Sequence, residues 1–154
     1  MRIKVLILLL ALLPLSIYTQ NRADTITINN NIKLTDRLLE RNTDSAFYTI
    51  QSTLDASYKS KYVYGYAKSN FQLIRYYMLK GQNDSATFCT TNAIKYARIS
   101  KDTNLIINTY LLSAKAFSSA SKYTKAIELC LAAQRYAEYK KNAKFKIKIS
   151  HDLG

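Results

Sequence analysis

Apolar residues recur along most of this chain at the spacing of α-helices. One stripe at helical spacing falls between 61 and 79 and comprises Tyr66, Leu73, Ile74, Tyr77 and Met78. A second falls between 104 and 120 and comprises Ile107, Tyr110, Leu111, Ala114 and Phe117. The whole chain has only three Gly and one Pro, which favours long helices over a many-stranded β-fold. The pattern predicts an all-α protein.

Polar breaks between the stripes set the expected helix bounds. Helices are predicted over 32–41, 45–58, 61–79, 84–99, 104–120 and 121–138, and a further helix is predicted to begin after residue 142, where the alternation of apolar residues could also indicate a strand. We expect Gly81 to follow the third helix as its C′ residue, and Asp84 to cap the fourth. The segment 21–31 is polar and rich in Asn and Thr, so it is predicted to be a linker.

Part of the pattern repeats after about 40 residues. Small residues at Ala86, Ala93 and Ala97 recur as Ala126, Ala133 and Ala137, and the tripeptide at 44–46 recurs at 84–86. A period of this size is typical of antiparallel helical hairpins that stack into a short α-solenoid. We therefore divide the chain into an atypical capping hairpin (32–60), two repeats (61–101 and 102–142) and the first half of a further repeat (143–154).

The N-terminus has the features of an export signal. Basic residues at 2 and 4 precede an almost unbroken apolar run over 5–18, with Pro14 near its end. The run is shorter than the roughly 20 residues that a membrane-spanning helix needs. The sequence predicts a signal peptide over 1–20 and a periplasmic or secreted protein. Inner-membrane anchoring through 5–18 is the alternative.

The chain is strongly basic, with 23 Lys and Arg against 10 Asp and Glu and a net charge of +13. This surplus favours acidic partners, whether nucleic acid, anionic lipid or an acidic protein face. A solvated basic surface is the plainer interpretation, and the predicted export argues against nucleic acid. We expect no nucleic-acid partner.

Residues with catalytic or metal-binding chemistry are few. Cys89 and Cys130 are too few for a disulfide scaffold and are expected to be small buried hydrophobes, with a bridge between repeats as the alternative. Ser150, His151 and Asp152 are adjacent, and adjacent residues of a helix point in different directions, so they cannot form a relay. We expect no enzyme, no cofactor and no metal site.

The second unit resembles the tetratricopeptide repeat (TPR). Counted from Ile107, it has the family's large, small and aromatic residue types at Tyr110, Ala114, Phe117, Tyr123, Ala126, Cys130 and Ala133. The first unit matches at Tyr77, Gly81, Ala86 and Ala93 but departs at Asn70 and Ile74, and Leu153-Gly154 matches the family's Leu-Gly step. The closing Pro is missing and the period exceeds the family's length of about 34 residues. Such degenerate repeats resemble those of exported Bacteroidetes-type TPR proteins.

The resemblance implies a right-handed superhelix and two sets of residues. Those expected to pack the repeats are Tyr77, Gly81, Ala86, Ala93, Tyr110, Ala114, Phe117, Tyr123, Ala126 and Ala133. Those expected to line a peptide groove are Lys68, Phe71, Gln72, Arg75, Leu111, Leu112 and Lys115. The three cations among them would hold an acidic peptide or a C-terminal carboxylate, with plain solvated cations as the alternative.

The expected function is that of a non-catalytic helical-repeat scaffold that binds a protein or peptide outside the cytoplasm. The alternative is the N-terminal sensory region of a longer signalling protein, ahead of a histidine kinase or a helix-turn-helix regulator. The C-terminal face of the second repeat is expected to be only partly covered, so self-association through it is a further expectation.

Overall fold

A computed structural model describes residues 24–41 and 43–140, and within these ranges the chain forms six α-helices and no strand. Helix α1 covers residues 24–41. The others are α2 (Thr43–Lys59), α3 (Val63–Leu79), α4 (Asn83–Ser100), α5 (Thr103–Ser119) and α6 (Tyr123–Tyr139). The all-α prediction is confirmed.

Neighbouring helices pack side by side to form a helical repeat. From α2 to α6 each helix packs against the next, and α3 also packs against α5. Helices α3 and α4 lie within the predicted repeat 61–101, and α5 and α6 within 102–142. The hand of the superhelix stays a prediction. The predicted signal peptide (1–20) and half repeat (143–154) lie outside the described residues.

The period of 40 residues is visible in the buried positions of every second helix. Three positions on each of α2, α4 and α6 are buried, and the sets are 40 residues apart: Ala46, Thr53 and Ser57; Ala86, Ala93 and Ala97; Ala126, Ala133 and Ala137. Only small side chains stand there, because close-packed helix backbones leave little room between them.

Tight turns between the helices repeat at half that period. Lys61, Gly81, Lys101 and Ser121 all have positive φ, at intervals of 20 residues. After α3, the Gly81 N–H donates to the Met78 carbonyl (3.0 Å) and the Gln82 N–H donates to the Tyr77 carbonyl (2.9 Å). This is a Schellman motif, so the prediction of Gly81 as the C′ residue is confirmed. The same pair of bonds closes the turns at Lys61 and Ser121.

The turn at Lys101 keeps the first of these bonds, from the Lys101 N–H to the Arg98 carbonyl (3.2 Å), and adds side-chain bonds. The Ser100 hydroxyl donates to the Ala97 carbonyl (2.6 Å) and accepts from the Asp102 N–H (3.3 Å). The Asp102 carboxylate then accepts from the Leu105 N–H (2.7 Å), which caps α5.

The predicted linker is wrong where the structure describes it, because residues 24–31 are helical and continue into 32–41. Ile28, Ile32, Thr35 and Leu39 are buried at spacings of three or four residues, so α1 has a continuous packed side. The Asn-rich segment has weak helix propensity, and packing overrides it.

The expected cap at Asp84 is also wrong. Helix α4 begins at Asn83 after Gln82, which makes no capping bond through its side chain, and Asp84 lies within the first turn. Asp84 instead accepts a hydrogen bond from Lys122 Nζ (3.3 Å), much as Asp44 accepts one from Lys80 (2.5 Å). The repeated aspartates therefore tie the start of the second helix of one hairpin to the turn within the next hairpin.

Candidate binding groove at the end of the array

A largely apolar groove of ≈ 410 Å³ runs between α5 and α6. We call it the terminal groove. Helix α5 contributes Leu111, Ala114, Lys115 and Ser118, and helix α6 contributes Tyr123, Ala126, Ile127 and Cys130. Small residues stand at Ala114 and Ala126, and this leaves a hollow between the larger side chains on either side.

The equivalent surface of the preceding hairpin is covered. There, Ile74 of α3 and Ala86 and Ala93 of α4 form a buried cluster with Ala116 of α5. Ala114 and Ala126 stand 40 residues after Ile74 and Ala86. The terminal groove is therefore the repeat equivalent of the surface on which α5 packs.

Burial at equivalent positions shows that this second surface is open. Ile127 is 55% exposed, whereas Thr87, 40 residues earlier, is 7% exposed. Cys130 is partly exposed, whereas Thr90 and Ile50 are buried. An exposed isoleucine beside an apolar hollow is typical of an interaction surface.

Charge at the groove is mainly positive. Lys115 lies on its wall and is exposed. The carboxylate of Glu128, next to Ile127 in α6, is paired with Lys125 at 2.7 Å. The groove thus combines apolar area with a cation, which suits a segment that has an apolar side and an acidic group.

Three of the four predicted groove residues of α3 converge on Asp36 of α1. Arg75 Nη1 lies 2.7 Å from Asp36 Oδ1, and Lys68 Nζ lies 3.5 Å from Oδ2. The fully buried Gln72 donates through Nε2 to the Ile32 carbonyl (2.8 Å) and to Asp36 Oδ1 (3.0 Å). These three side chains do meet a carboxylate, but it belongs to the chain itself.

The other predicted groove residues lie in two places. Phe71 packs under the Lys68 ammonium (4.9 Å to the ring centroid) and against Ala67, Leu105 and Ile106, while Leu112 packs in the cluster around Ile74. Leu111 and Lys115 line the terminal groove. The seven residues therefore do not form one continuous site, and no ligand is needed to explain those on α3.

Sequence reasoning missed Ser118, Ile127 and the outward role of Tyr123 and Cys130. The expected packing role of Tyr123 is wrong in the described part of the chain, since its side chain is 62% exposed in the first turn of α6. Ala86, Ala93, Ala114, Ala126 and Ala133 are buried as expected. The 40-residue period could have identified the groove. It places the apolar Ile127 at the position equivalent to Thr87, which is buried in the preceding hairpin.

Titratable groups with shifted pKa values lie within the array. Burial raises the pKa of the Cys89 thiol above its ordinary value of 9.0. Burial, with smaller contributions from Cys89 and Tyr76, also raises the pKa of Tyr77. Burial, followed by Asp102, raises that of Tyr64. No disulfide joins Cys89 and Cys130, so the alternative of a bridge between repeats is wrong.

The described residues contain no group of three or more His, Cys, Asp or Glu side chains that could hold a metal ion. No helix in 24–41 or 43–140 is long and apolar enough to cross a membrane. No protein family, curated protein or solved structure matches the chain. The TPR resemblance therefore stays a prediction.

Proposed function

We propose that this protein is a non-catalytic helical-repeat scaffold that binds another protein through the terminal groove. The observation that supports it is the contrast between Ile127, which is 55% exposed, and the equivalent Thr87, which is buried. A scaffold of stacked hairpins presents such a surface on rigid helices, with little loss of conformational freedom on binding. The proposal sets this binding outside the cytoplasm, on the basis of the export signal predicted over 1–20.

The site proposed from the sequence is revised accordingly. Lys68, Gln72 and Arg75 are engaged by Asp36, so an acidic peptide would have to compete with that carboxylate for them. Lys115 and Leu111 are retained, and Ile127, Tyr123 and Cys130 are added. The proposed partner is a protein, and the apolar groove with a single flanking cation is the reason.

Site-specific photo-crosslinking in the source cells tests this function. A benzoylphenylalanine at position 127 is compared with one at position 88, since Phe88 is 85% exposed on α4 and lies outside the groove. We expect an adduct of defined mass from position 127 alone, and its loss when Ala114→Ile fills the groove. The same adduct from both positions, or one that survives Ala114→Ile, would reject the groove as the site.

A further inference from the structure

We propose that the occupant of the terminal groove is an amphipathic helix of a separate, acidic protein, and that it must carry a bulky apolar side chain where α5 carries Ala116. This inference rests on the proposed function and adds the shape and charge of the partner. It follows from three observations on the array.

Helix α5 shows how a helix packs on this kind of surface. It covers α3 and α4 with one side, and its Ala116 is fully buried against Ile74, Ala86 and Ala93. The terminal groove repeats that receiving surface 40 residues later. A helix in the same relative position would lie beside Ile127 and Cys130, whose equivalents Thr87 and Thr90 are both buried in the preceding hairpin.

The two surfaces differ in where the large residue stands. At the covered surface the isoleucine is on the receiving helix, at position 74, and the alanine is on the incoming helix, at 116. In the terminal groove the receiving residue is Ala114, so the volume that Ile74 fills is left open. Because interiors pack at high density, the incoming helix must supply the missing atoms.

The net positive charge of this chain favours a separate acidic partner over a second copy of the chain. Two copies with a net charge of +13 would repel each other. Lys115 lines the groove, and none of the ion pairs among the described residues involves it. An acidic residue on the incoming helix would pair with Lys115 at the edge of an apolar contact.

Two peptides test this specificity. Both have the 17-residue sequence of α5, Thr103–Ser119, with Lys115→Glu to make the peptide acidic, and one also carries Ala116→Ile. Binding to the full chain is measured by fluorescence anisotropy. We expect the peptide with Ala116→Ile to bind about tenfold tighter, because three additional carbon atoms are buried.

The full chain with Ala114→Ile provides the reciprocal test. It is expected to fold, because Ile74 is accommodated beside Ala86 and Ala93, and the equivalent neighbours of position 114 are Ala126 and Ala133. In this variant the preference should reverse in favour of the peptide with Ala116. Equal affinity of the native chain for both peptides, or no binding of either, would overturn the inference.

Cross-linking identifies other occupants. With benzoylphenylalanine at position 127, we expect an adduct with the tighter peptide. A link to residues 141–154 of the same chain, or to a second copy, formed in preference to the peptide adduct, would overturn the inference. If the cellular adduct still depends on Ala114, the proposed function survives such a result, so the two failures are distinguishable.

Discussion

Residues 61, 81, 101 and 121 adopt left-handed backbone conformations, but only one of them is a glycine. Gly81 could be predicted from the sequence because glycine is the usual residue at this position of a helix end. Lys61, Lys101 and Ser121 could not, since their residue types do not indicate positive φ. The regular interval of 20 residues, counted from Gly81 in either direction, is what marks these three positions as turns.

Introducing glycine at these turns should stabilise the fold. A residue with a Cβ costs roughly 1–2 kcal/mol in this conformation, part of which is offset by the greater freedom of glycine when unfolded. We expect Lys61→Gly and Lys101→Gly each to raise the free energy of unfolding by about 0.5–1 kcal/mol in urea titrations.

The matched control for those variants is Gly81→Ala. A Cβ at position 81 meets nothing within 4 Å, so only the backbone conformation opposes it. It should lower the free energy of unfolding by about 1 kcal/mol. An unchanged or increased stability would contradict the assigned turn geometry.

The buried hydroxyl of Ser57 provides a second test at the scale of single residues. The Ser57 hydroxyl is buried without a hydrogen bond, and Ala97 and Ala137 stand at the equivalent positions. Ser57→Ala should therefore stabilise the protein by about 1 kcal/mol.

Gly65→Ala is the contrasting change, because its Cβ would lie 2.6 Å from Ser57 Oγ and 2.7 Å from Ile28 Cγ2. This clash should cost about 1–3 kcal/mol. Thermal unfolding of both variants checks the pair, and a neutral Gly65→Ala would show that α1, α2 and α3 do not meet as described.

At the scale of elements, α2 to α6 were predicted to within a few residues and α1 was not. The sequence predicts a helix over 84–99, and α4 covers Asn83–Ser100, because periodic apolar residues and polar turns are local signals. The first half of α1 is Asn-rich, and its helical state depends on Ile28 packing against distant residues such as Gly65. The pairing of Asp36 with Arg75 is likewise long-range and has no local signal.

The Asp36 cluster predicts how firmly α1 is attached. Asp36→Ala leaves Arg75 and Lys68 without their carboxylate and removes one acceptor from Gln72. We expect a loss of about 1–3 kcal/mol in the free energy of unfolding, since hydrogen bonds to charged groups contribute this much.

Asp55→Ala is the control, because the Asp55–Lys59 pair lies within one helix and both side chains are largely exposed. It should change stability by less than about 0.5 kcal/mol. Equal effects of the two substitutions in urea titrations would show that Asp36 has no special role in holding α1.

At the scale of the whole molecule, buried titratable groups make stability depend on alkaline pH. The pKa values of Cys89, Tyr64 and Tyr77 are all raised, so the folded protein favours their neutral forms. Their contribution is complete below their ordinary pKa values, 9.0 for the thiol and 10.0 for the phenols, and is lost as the pH rises through the folded values.

We therefore expect the free energy of unfolding to be steady near neutral pH and to fall above about pH 9 in urea titrations. Tyr77→Phe keeps the ring and removes one ionisable group, so its stability should fall less steeply. A decline as steep as that of the native chain would contradict the role assigned to Tyr77.

The repeat architecture could be predicted from the sequence because its small residues recur every 40 positions. The open groove could not, because exposure at Ile127 depends on what packs against it and not on its own residue type. The scaffold function, the exported location and the alternative of a sensory region stay predictions.

One surface of the repeat is covered in the first full hairpin and open in the second. Thr87→Glu and Ile127→Glu place the same charge at equivalent positions of α4 and α6, and urea unfolding of the full chain compares them directly. Thr87→Glu should cost roughly 3 kcal/mol or more, because it places an unpaired carboxylate at a buried position. Ile127→Glu should change stability by less than about 0.5 kcal/mol, and a loss comparable to that of Thr87→Glu would contradict the open groove.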